Sequence, residues 1–177
     1  MVLPHDALRG VGEQLYLGGP VDVTLTLVDT EDLAVRIQHV AAYPHGFSFV
    51  VALWSDEPAH VMHEAAEALS FNPHRRGRRS AAQLHVLVEL PDGTTLVPAH
   101  GGQHYTEPRL EQVTAYGEHG FYTAELVAPI LPADGPVTFV FEWASRGIAG
   151  ARATFDAALL AEAATRAQPL FAVADRP

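Results

Sequence analysis

At 177 residues the chain has the length of one ordinary domain, and folding removes roughly 70% of the unfolded surface from water at that size, so a core needs no covalent staples. There is no cysteine, which excludes disulfides and thiolate zinc sites and points to a reducing, cytoplasmic setting. Eleven basic residues against twenty-one acidic ones give a formal net charge of −10, which repels phosphate backbones and anionic membranes and sets nucleic acid aside as a partner.

Residues 1–20 carry Gly10, Gly12, Gly18, Gly19 and Pro20 with little periodicity and read as an irregular lead-in. They lack the basic and apolar regions of a secretory signal, and no later run is apolar for the ~18 residues of a membrane-crossing helix. The chain therefore reads as soluble, without a membrane partner. From Val21 the pattern changes. Val21, Val23, Leu25 and Leu27 alternate with polar residues, as a half-buried strand does. Asp29-Thr30-Glu31-Asp32 turns the chain into a second strand marked by Leu33, Val35 and Ile37. Tyr43-Pro44-His45-Gly46 supplies the next turn, and Phe47, Phe49, Val51 and Leu53 mark a third strand. Short connections make these an antiparallel meander.

A helical spacing of Val61, Ala65, Ala68 and Leu69 after Pro58 predicts a short inserted helix over 58–69. Arg75-Arg76-Gly77-Arg78-Arg79 follows as a basic loop. Leu84, Val86, Val88 and Leu90 then alternate, and Pro91-Asp92-Gly93 turns them into a hairpin with 94–97. Residues 98–108 read as loop. Strands resume over 110–116 and 121–127. The segment Gly135-Pro136-Val137-Thr138-Phe139-Val140-Phe141-Glu142-Trp143 places Val137, Phe139, Phe141 and Trp143 on one face of a strand against the core. A C-terminal helix is predicted over 157–167, with Asp156 as its N-cap and Pro169 stopping the run. About eight short strands at this spacing predict an all-β fold, an antiparallel β-sandwich with a short inserted helix and a C-terminal helix. The expected organisation is a single sandwich domain over 21–168 and a tail over 169–177.

Gly135-Pro136-x-Thr138-Phe139-Val140-x-Glu142-Trp143, Gly147-Ile148 and Asp156-Ala157, with Tyr43-Pro44-His45-Gly46-Phe47 and Leu90-Pro91-Asp92-Gly93, carry a resemblance. The chain resembles an uncharacterised bacterial β-sandwich family over most of residues 21–160. Ala144 departs from the proline of that pattern. The resemblance implies a compact domain and brings no activity, cofactor or binding residue.

Reactive side chains form a few groupings. His60, His63 and Glu67, with Glu64, lie at helical spacings of three and four, where imidazoles and a carboxylate can meet a metal; the competing reading is a solvated helix face opposite Val61, Ala65 and Leu69. His100 and His104 flank two glycines in a loop that can approach a ligand closely, or simply a polar connection. Glu142, between two aromatic strand residues, suits a pocket base or a paired surface anion with Arg146 or Arg152. Trp54 and Trp143 can stack a sugar ring or anchor the core. His39 continues the buried phase of Leu33, Val35 and Ile37 unless a bulge intervenes near Val40.

Strong fold signals thus accompany no convergent reactive set. The expectation is a non-catalytic interaction or assembly module without a cofactor, acting through sheet edges or a covered sheet face and pairing with a protein partner or with itself as a homodimer. The alternatives are a small-ligand or carbohydrate-binding module using Trp54, Trp143, Glu142, His100 and His104, and a metal-assisted hydrolase built on the His60, His63 and Glu67 cluster together with His100 and His104.

Overall fold

The computed structural model describes residues 16–56, 63–66, 84–99 and 107–170. In chain order these contain β1 (Tyr16–Leu17), β2 (Gly19–Pro20), β3 (Leu25–Asp29), β4 (Leu33–Tyr43) and β5 (Gly46–Ser55). After a helical stretch at 63–66, here α1, come β6 (Leu84–Glu89), β7 (Thr95–Leu96), β8 (Glu111–Glu118) and β9 (Phe121–Ala128). The remainder is β10 (Pro136–Trp143), a 3-10 turn (Ala144–Arg146), β11 (Ile148–Asp156), α2 (Ala158–Ala164) and β12 (Gln168–Pro169). Eight of these strands have five or more residues, which matches the all-β reading.

All pairings between these strands are antiparallel, and among the described residues one isolated parallel bridge joins Pro98 to Leu110. One sheet has six strands: β4, β5, β9 and β8 run side by side, while β2 and β3 both pair with the outer side of β4. The second has four, in the order β11, β10, β6, β7, and β1 pairs with β12 in a small third sheet. The two larger sheets face each other as a sandwich, with the Phe49 and Phe139 rings meeting edge to face at 4.8 Å between centroids. Period-two alternation produces this interior directly. Phe47, Phe49, Val51 and Leu53 of β5 are fully buried, as are Val137, Phe139, Phe141 and Trp143 of β10.

Three local departures from the simple pattern have physical causes. The alternation from Val21 yields a strand only from Leu25, because the Val23 N–H donates to the Val21 carbonyl at 2.9 Å and the Val21 N–H to the Val40 carbonyl at 2.9 Å, a tight turn that takes this backbone off the ladder. In β4 the register with β5 shifts between Gln38 and Ala41, and His39 adopts φ 51°. That bulge turns His39 out to solvent and brings Val40 to the core. The lead-in is not wholly irregular either. Gly19 and Pro20 pair with Ala42 and Ala41, and Tyr16 and Leu17 pair with Pro169 and Gln168. The first of these pairings requires glycine, since a Cβ on Gly19 would lie 1.8 Å from the Ala163 carbonyl oxygen.

The C-terminal helix is shorter than expected, covering Ala158–Ala164, and buries Leu160 and Ala163. Asp156 Oδ1 accepts from the Ala158 N–H at 2.9 Å, so the carboxylate serves the first turn while Asp156 still ends β11. No helix among the described residues is long and apolar enough to cross a membrane.

Candidate functional site

At one end of the sandwich the β3–β4 turn, α1 and the 3-10 turn after β10 enclose a cleft of about 560 Å³. Thr30, Asp32, Glu64, Ser145 and Arg146 supply its polar groups, with Leu33 and Ile148 among its apolar walls. Glu64 Oε2 accepts from the Trp143 indole N–H at 2.9 Å and from the Ser145 hydroxyl at 3.1 Å. Trp143 is fully buried, so its N–H needs an acceptor, and Glu64 brings α1 onto the sandwich to provide one. The Arg146 guanidinium lies 5.2 Å from the centre of the Trp143 ring, with Nη1 3.9 Å from Asp32 Oδ2. The Thr30 hydroxyl donates to Asp32 Oδ1 at 2.7 Å; with the backbone N–H of Asp32 and the Arg146 charge it holds that carboxyl below its ordinary value. These contacts latch the sandwich end. Ser145 donates to the Glu64 carboxylate, and among the described residues that line the cleft there is no histidine.

Of the side chains singled out in the sequence, those described lie on three different elements, α1, β5 and β10. His60, Glu67, His100 and His104 lie outside the described residues, and His63 is exposed on α1. Among the described residues no three His, Asp or Glu side chains gather in a metal-holding group. Trp143 presents no exposed ring face. Trp54 lies half-buried on the outer face of the six-stranded sheet, 5.3 Å from the Phe121 ring and 5.9 Å beneath the Arg36 guanidinium. Glu142 stands opposite His85 across the β10–β6 pair, while Arg152 pairs with Glu89. What the sequence did not single out is the latch, because Glu64 and Trp143 are 79 residues apart and no local pattern joins them.

Sheet edges differ in how they are closed. β7 has two residues, β11 lies against β3 and contains Gly150 at φ 83°, and α2 packs beside β2 and β4. β8 is different: it has eight residues, pairs among the described residues only with β9, apart from a parallel bridge of Pro98 to Leu110 just before its first residue, and carries neither proline nor a basic residue, its charges being Glu111 and Glu118 at the two ends. It is exposed along most of its length, and the Tyr116 side chain retains 55% of its accessible surface. On its inner face Tyr122 reaches under Gly117, where a Cβ would lie 2.8 Å from Tyr122 Cδ2. Burial pushes the Tyr122 phenol up to about 12.

Comparison with protein-family models, with curated proteins and with solved structures returns no match to this chain.

Proposed function

We propose that the protein is a non-catalytic assembly module that associates with a second copy of itself through the open edge of β8. One observation carries the reading: of the sheet edges among the described residues, β8 alone combines eight residues with no proline or basic side chain, and past its one bulge, between Gln112 and Thr114, residues 114–118 pair regularly with β9. A row of backbone donors and acceptors on such an edge is a template for another strand, and an antiparallel edge is self-complementary about a two-fold axis. The test is light scattering of the full chain over a range of concentrations. A concentration-dependent dimer is expected for the wild type. Ala115→Pro, which removes an edge N–H without touching the β8–β9 ladder, should be monomeric with an unchanged circular dichroism spectrum. Ala115→Lys provides the same disruption without a backbone constraint. A monomer at every concentration, or a dimer indifferent to both substitutions, overturns the proposal.

The cleft supports a second reading, small-ligand binding, through the juxtaposition of Asp32 and Arg146 beside Ser145. A compound that raises the melting temperature of the wild type and not of Asp32→Asn would establish it.

A further inference from the structure

We infer that two copies pair along β8 in one register, with Tyr116 of each facing Tyr116 of the other across the two-fold axis. This rests on the edge association proposed above and adds its geometry. β8 is not uniformly available. Its register with β9 shifts between Gln112 and Thr114, and an extra residue there bends the strand and disrupts its ladder. At the other end the chain turns through His119 at φ 41° and Gly120 at φ 85°, the two positive values that a two-residue type I′ hairpin demands. The regular edge is therefore residues 114–118, and its midpoint is Tyr116.

Hydrogen-bond parity selects the same centre. Glu118 and Phe121 close the two-residue turn as a hydrogen-bonded pair, so alternation directs the backbone groups of Glu118, Tyr116 and Thr114 toward β9 and those of Ala115 and Gly117 toward the open side. A second antiparallel copy engages both outward residues of both chains only when Ala115 meets Gly117. Placing Ala115 opposite Ala115 would set Gly117 against the bulged Val113. Placing Gly117 opposite Gly117 would set Ala115 against the turn residue His119. In the Tyr116-centred register the two tyrosines occupy a non-hydrogen-bonded site, where Cα atoms approach to about 4.5 Å and side chains lie closest. The most exposed large side chain of the strand is thereby covered by its own copy. Glu118 falls opposite Thr114, so no two carboxylates confront each other.

The chain has no cysteine, so one introduced thiol reports the register without interference. Tyr116→Cys should form a disulfide-linked dimer on mild oxidation, because about 4.5 Å between Cα atoms lies within disulfide reach. Ala115→Cys should not, since its own copy lies diagonally at about 7–8 Å. In reducing buffer Tyr116→Phe should keep the dimer, and Tyr116→Ala should weaken it about tenfold, as expected for loss of an aromatic pair. Cross-linking at Ala115→Cys or Gly117→Cys in place of Tyr116→Cys overturns the register and leaves edge association standing. A dimer abolished by Ala115→Pro that cross-links at none of these positions also overturns the register. Absence of any dimer overturns both.

Discussion

Glu125 projects from β9 onto the outer face of the six-stranded sheet, in register with Val50 on one side and Thr114 on the other. Burial raises its carboxyl above the ordinary value of 4.5. The folded chain then holds this proton more readily than the unfolded chain does, so ionising Glu125 costs the native state at neutral pH, and the cost fades as pH falls through the raised value. Glu125→Gln should raise the urea midpoint at pH 7, with the advantage disappearing below 4.5; an unchanged midpoint at pH 7 would contradict the argument. Asp32 and Asp92 have the opposite sign. The Thr30 hydroxyl holds the first below 3.8 and the Thr94 N–H the second, so their contribution is present above 3.8 and is lost as pH falls through the lowered values. At the cleft, Trp143→Phe removes the indole N–H that Glu64 accepts. The expected loss is about 2 kcal/mol, within the range for a hydrogen bond to a charged group, measured by urea unfolding, and Glu64→Gln should cost less because an acceptor remains.

At the scale of elements, what the sequence disclosed is what period-two burial encodes locally. Leu33, Val35 and Ile37, then Phe47 to Leu53, then Val137 to Trp143, each show a one-sided apolar series, and each is a strand with that face buried. The phase change at His39 was legible only as a condition, because a bulge is set by the pairing of β4 with β5 and leaves no mark on β4 alone. Partner choice was not legible. β5 pairs with β9 and β10 with β6 across long sequence separations, and the edge position of β8 follows from that order. The Glu64–Trp143 latch was hidden for the same reason. The C-terminal helix was visible from Asp156 and the alanine-rich run, and its anchor is Leu160, fully buried. Leu160→Ala should destabilise the chain by about 2–5 kcal/mol, the range for deleting a buried leucine side chain, with loss of the cooperative melt at physiological temperature as the severe limit. A cost under about 1 kcal/mol would show that α2 is dispensable to the core.

For the whole molecule, charge and topology oppose each other. Joining two six-stranded sheets along β8 brings together two chains of net charge −10, with Glu111 and Glu118 at the ends of the shared edge. Backbone hydrogen bonds and the covered tyrosines respond little to ionic strength, whereas the repulsion between the copies is long-ranged and screened by salt. The screening length shortens from about 30 Å at 0.01 M to about 8 Å at 0.15 M, so added salt removes repulsion without removing the edge contacts. Sedimentation equilibrium should therefore show the dimer fraction rising over that range, and Ala115→Pro should remain monomeric throughout. A dimer that dissociates on adding salt would require attraction between opposite charges, which the acidic ends of β8 do not offer, and would place the contact elsewhere on the surface.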